Sequence, residues 1–98
     1  MSVIYKQALA EQDLVNIWLY TWHEWGEQQA DFYLDELERA IQLVAEQPKL
    51  GRLREEFVPP VRILNHAHHL LVYHVLPEGI RIIRVLHKNM DVDAQLDT

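Results

Sequence analysis

The chain contains no cysteine, and its single serine is Ser2. The missing thiol rules out disulfides, thiolate metal ligands and a cysteine nucleophile, and it fits a reducing compartment. No stretch approaches the roughly 20 apolar residues that a membrane-spanning helix needs. The opening Met-Ser-Val-Ile-Tyr-Lys has no signal-like apolar region, so a soluble cytoplasmic protein is expected. Positive charge is scarce in the first half, where Lys6, Arg39 and Lys49 face nine acidic residues for a net −6. Residues 51–98 carry six Lys/Arg against six acids, a net of zero, and five of the six histidines. An acidic first half repels phosphate, so direct nucleic-acid binding is not expected. Any contact with an anionic partner must come from the second half, which gains charge as its histidines protonate.

What is present suffices for one small core. Of 98 residues, 49% are hydrophobic, with three Trp, and nothing reads as a linker, repeat or low-complexity tract. One domain spanning 1–98 is expected. Val3-Ile4-Tyr5 reads as a short first strand. Leu14, Ile17, Trp18, Trp22 and Trp25 follow helical spacing, and Gly26 closes that helix. A second helix follows at once with the stripe Ala30, Tyr33, Leu34, Leu37, Ile41, Val44, and Pro48 stops it. So short a link forces an antiparallel helical hairpin. Lys49 to Pro60 reads as loop. Three strand-like runs follow, Val61–Asn65, His69–Leu76 and Ile80–Leu86, the last two joined by a turn at Pro77-Glu78-Gly79. The expected fold is α+β, in the order β-α-α-β-β-β, with the helical hairpin packed on one face of a mostly antiparallel sheet. The last two strands are apolar on both faces and should be central.

The three tryptophans share a helical stripe, and core packing is the expectation for them. His66, His68, His69, His74 and His87 lack the supporting ligands of a metal site, so surface or hydrogen-bonded histidines are expected and no metal or cofactor. Arg62 and Arg84 interrupt apolar runs. An arginine there must be paired or face a groove, because a lone buried charge is costly. Arg84 shares strand parity with Ile80, Ile82 and Leu86 and is the odd member of that face. Metal-free phosphodiester cleavage would need a general base, a general acid and cations on the phosphate. Only His87, Lys88 and Arg84 could be assembled for it, so a binding role is preferred to catalysis.

Several segments together resemble the RelE/ParE toxin superfamily, and within it the ParE branch, over nearly the whole chain. They are Asp13-Leu14 with Ile17, Trp25-Gly26 followed by Gln29-Ala30, and Leu43 to Pro48. Further matches are Gly51-Arg52, Arg62, His69 with Val72-Tyr73, and above all Ile82-Ile83-Arg84-Val85-Leu86-His87 with Met90-Asp91. The chain departs from that pattern at Val61, at Ala67-His68 and at His74, which stands where an arginine is usual. The resemblance implies a toxin of a type II toxin–antitoxin system that inhibits DNA gyrase without being an enzyme. A ParD-like antitoxin would neutralise it in a hetero-oligomer. The alternative is a RelE-like, ribosome-dependent mRNA endoribonuclease. Carried over residue by residue, the partner- or target-binding candidates are Arg52, Arg62, His69, Tyr73, Arg84, His87, Met90 and Asp91, with Arg62, Arg84 and His87 foremost.

Overall fold

The computed structural model describes residues 2–96. The chain enters as strand β1 (Val3–Lys6), then forms helix α1 (Ala8–Trp25) and helix α2 (Glu27–Glu46). The two helices are separated by Gly26 alone, at φ 93° and ψ 172°. That region of backbone space is open essentially only to glycine. A side chain there would meet nothing within 4 Å, so the requirement is purely a backbone one.

After one 3-10 turn at Pro48–Leu50 come β2 (Arg52–Arg54), β3 (Val61–His66), β4 (His69–Leu76), β5 (Gly79–His87) and a short helix α3 (Val92–Leu96). The sheet order is β1-β5-β4-β3-β2. Only the β1–β5 pair is parallel; the others are antiparallel. Gly79 sits where β1 crosses, and a Cβ there would lie 1.9 Å from the Val3 carbonyl oxygen. The expected helical hairpin on one face of a mostly antiparallel sheet is what the chain forms. Three elements escape the sequence reading. The segment taken as loop holds the 3-10 turn and β2, and α3 follows the last strand.

The main core lies between the hairpin and the sheet. Ala10, Leu14 and Ile17 of α1 and Leu37, Ile41 and Val44 of α2 close over Leu71, Tyr73, Ile80, Ile82 and Val85. A smaller cluster on the opposite face joins Val61, Val72 and Leu86 to Phe57, Val92 and Leu96. This double covering is why β4 and β5 are apolar on both faces.

The tryptophan expectation is corrected here. The buried residues of α1 are Ala10, Leu14 and Ile17, spaced i, i+4, i+7, whereas Trp22 and Trp25 are 47% and 74% exposed. Trp18, Trp22 and Trp25 follow the neighbouring stripe, about 100° further round the helix, and α1 is covered on one side only. Trp18 stacks on Trp22 with ring centroids 6.4 Å apart, and its Nε1 donates to Asp31 Oδ1 at 3.0 Å.

The parity reading of β5 is corrected as well. Tyr73 pairs with Ile82, but Val72 pairs with Arg84, so Ile83 is an inserted bulge residue. Beyond a bulge the in–out alternation is reset. Ile80, Ile82 and Val85 therefore face the helices, while Ile83 and Leu86 join the opposite cluster. Arg84 is not the odd member of a face running from Ile80 to Leu86.

Candidate partner-binding groove

The bulge lies at the sheet edge that β1 leaves uncovered. β1 ends at Lys6 opposite Ile82, and α1 takes over the edge of β5 from there. Asp13 on α1 does what a partner strand would have done. Its Oδ2 accepts the Val85 backbone N–H at 2.9 Å. The same carboxylate clasps Arg84 at two points, Nε to Oδ2 at 2.8 Å and Nη2 to Oδ1 at 2.9 Å. Both side chains are largely buried, at 16% and 13% exposure. A bidentate, charge-assisted pair of this kind is strong and directional, and it holds the Arg84 guanidinium above its already high pKa.

Beside this clasp opens a groove of about 950 Å³ between α1 and the end of the sheet. One wall is α1, with Asp13, Asn16, Ile17, Tyr20 and Thr21, and Trp25 and Gln29 flank the helical turn. The other wall is Tyr33, His69, Val85, His87 and Met90. Tyr20 and Trp25 are more than half exposed, and Met90 nearly so.

His69 and His87 form the floor of the groove, in a row of histidines that strand register continues to His66 outside the lining. The two-residue turn at Ala67-His68 places His66 opposite His69, and the bulge in β5 places His87 opposite His69 on the other side. The His69 and His87 rings meet edge to face at 5.5 Å, and Tyr33 lies 5.4 Å from the His69 ring. The His68 backbone N–H donates to the Tyr33 hydroxyl at 3.3 Å. That hydroxyl lies 2.6 Å from His69 Nδ1, and it donates to this nitrogen in the tautomer that carries the ring proton on Nε2. His69 is neutral at pH 7: burial, reinforced by His87, His68 and His66, lowers its pKa to about 4. Burial likewise raises that of Tyr33. His87 Nδ1 accepts the Asn89 backbone N–H at 3.2 Å. A neutral imidazole accepting at Nδ1 carries its proton on Nε2, so His87 presents an Nε2–H, as does His69 when Tyr33 is the donor.

The eight sequence candidates separate into three groups. His69, His87 and Met90 line the groove, and Arg84 borders it through Asp13. Arg62 and Tyr73 face one another across β3 and β4 and serve the segment before β2. The Tyr73 hydroxyl donates to the Pro48 carbonyl and accepts the Gly51 N–H at 2.9 Å. Arg62 Nη1 donates to the Gly51 carbonyl at 2.8 Å. Tyr73 is fully buried and offers no surface to a partner. Asp91 accepts the N–H groups of Asp93 and Ala94, which caps α3, and Arg52 is exposed on β2, away from the groove. Sequence reasoning did not single out Asp13, Tyr20, Trp25 or Tyr33 as groove residues. Asp13 appears in that reading only within a segment that carries the resemblance, Trp25 there and in the first helix's apolar stripe, Tyr33 only as a member of the second helix's apolar stripe, and Tyr20 not at all.

The chain matches, over residues 4–92, the family described as ParE toxin of type II toxin-antitoxin system, parDE. It belongs to the ParE toxin family. Among its relatives, Toxin ParE1 of Mycobacterium tuberculosis is 44% identical over 88 residues, covering 89% of this chain and 90% of that one. Toxin ParE1 of Caulobacter vibrioides is 38% identical over 89 residues, again covering 89% and 90%. Toxin ParE of Escherichia coli is 31% identical over 99 residues, covering 98% and 94%. In shape, the chain resembles a chain of the chromosomal ParDE TA system from P. aeruginosa, with a TM-score of 0.73 over 89% of this chain and 96% of that one, at 20% identity. That likeness concerns the fold alone. The groove is concave, aromatic-walled and bordered by exposed side chains. Among the described residues no helix is long and apolar enough to cross a membrane, and no group of three or more His or acidic side chains could hold a metal ion.

Proposed function

We propose that this ParE toxin arrests growth in the cytoplasm by binding DNA gyrase as a protein ligand, and that a ParD-like antitoxin neutralises it by occupying the groove beside α1. The observation that carries the reading is the groove itself, with its exposed Tyr20, Trp25 and Met90. A segment laid there would bury aromatic surface at about 25 cal/mol per Å² and gain fixed hydrogen-bond donors at its floor. An inhibitory rather than enzymatic action is favoured by the state of the charged groups. Catalysis on a phosphodiester needs cations beside the histidines; Arg84 is held by Asp13, and Lys88 lies outside the groove lining.

The ribonuclease alternative rests on one feature, the contact of a neutral His69 with His87. The two readings part in cells. On induction without antitoxin, gyrase inhibition triggers DNA-damage signalling while bulk translation continues. Prompt loss of translation with mRNA cut at ribosomes, and no damage response, would replace the first reading by the second.

A further inference from the structure

The floor of the groove offers ring N–H donors and no free carboxylate to match them. Nδ1 of His69 is engaged by Tyr33 and Nδ1 of His87 by the Asn89 N–H. Each Nε2–H is left without a partner among the described residues. Asp13 is the one carboxylate lining the groove, and it is taken up by Arg84 and the Val85 N–H. Around His69 stand His66 from β3, His68 from the turn, His87 from β5, Tyr33 from α2 and Asp13 from α1. The floor is thus rich in ring N–H donors, between walls that carry Ile17, Tyr20, Trp25, Val85 and Met90.

We infer that the groove recognises a carboxylate: an Asp or Glu side chain of the antitoxin segment, seated on the Nε2–H groups of His69 and His87 with apolar neighbours against Tyr20 and Trp25. The inference rests on the proposed antitoxin reading and specifies its chemistry. A bound carboxylate stabilises the protonated form of a histidine it touches. In the free toxin His69 is held neutral by burial and by its neighbours. A carboxylate there raises the His69 pKa from about 4 by roughly 1–3 units, so binding takes up a proton in the mildly acidic range and affinity rises as pH falls from 7 to 5.

The test uses the full-length toxin and the product of the open reading frame adjoining its gene, purified separately from the co-expressed complex. Titration calorimetry at pH 5.5 in acetate and in MES buffer reads proton uptake from the difference in apparent enthalpy. The expected result is net uptake by the wild-type pair. It disappears in His69→Gln, whose amide nitrogen replaces the Nε2 donor but cannot take a proton, with a roughly tenfold loss of affinity. His87→Gln, at the more accessible strand exit, gives a second reading independent of any folding defect in the first. One Asp→Asn or Glu→Gln change in the antitoxin should reproduce the loss, with no further effect when combined with His69→Gln. Equal enthalpies in both buffers, or uptake unchanged in both toxin variants, overturns the carboxylate inference while leaving the antitoxin reading intact. Failure of the adjoining product to bind at all removes both. Binding of a single-stranded oligonucleotide with the same histidine-dependent uptake would reassign the groove to phosphate and overturn the inference.

Discussion

Replacing Asp13 with alanine tests the physical logic of the sheet edge. The change leaves a guanidinium 16% exposed with no partner and strips the Val85 N–H of its acceptor. Removing one member of a buried ion pair costs about 3–5 kcal/mol. The small remaining exposure of both partners lets water recover part of that, so about 2–3 kcal/mol is expected. For a domain of this length that lowers Tm by roughly 10–20 °C. Asp13→Asn keeps an acceptor for Val85 and should fall between wild type and alanine. Adding Arg84→Leu to Asp13→Ala should return about 1 kcal/mol, because the stranded charge is gone. Thermal and urea unfolding followed by circular dichroism at pH 7 measure all three. An Asp13→Ala protein within about 0.5 kcal/mol of wild type, or a double variant less stable than the single one, refutes the account.

Four further outcomes follow from the same contacts. Gly26→Ala should cost about 1–3 kcal/mol through backbone strain alone, since the added methyl meets nothing; a neutral result in urea unfolding would contradict this. Trp25→Ala should leave stability within about 0.5 kcal/mol yet weaken antitoxin binding severalfold by calorimetry; a large loss of Tm with unchanged affinity would reverse that assignment. His69 is neutral in the fold with a pKa of about 4 against an ordinary 6.5. The unfolded chain therefore binds more protons between those values, and the stability this group supplies is present above pH 6.5 and lost as pH falls toward 4. The wild-type slope of Tm with pH in that window should exceed that of His69→Gln, and parallel curves would refute it. Arg84→Ala should weaken toxicity more than Arg81→Ala, because Arg84 anchors α1 to β5 whereas Arg81 packs over the exposed Tyr5 ring; equal colony counts on induction would remove the distinction.

Much of the fold was legible because it depends on local pattern. The helical hairpin follows from two apolar stripes separated by Gly26, and the central place of β4 and β5 follows from their two apolar faces. The site was less legible because it depends on register. Counted from the Pro77-Glu78 turn, a regular hairpin sets His69 opposite Leu86; the bulge at Ile83 moves His87 there instead, and no residue in Ile82-Ile83-Arg84 announces it. The Arg84 partner lies 71 residues away, so the sequence could show that the charge needed an answer but not which residue gives it. The tryptophans misled because apolar periodicity marks a stripe without saying whether anything packs on it. Here the packed stripe is Ala10-Leu14-Ile17, and the wider one beside it stays exposed.

The most direct test of the central claim is a supercoiling assay with purified gyrase, relaxed plasmid and ATP. The account predicts that micromolar toxin blocks supercoiling and that stoichiometric antitoxin restores it. Supercoiling that proceeds unchanged at micromolar excess of folded toxin would contradict it.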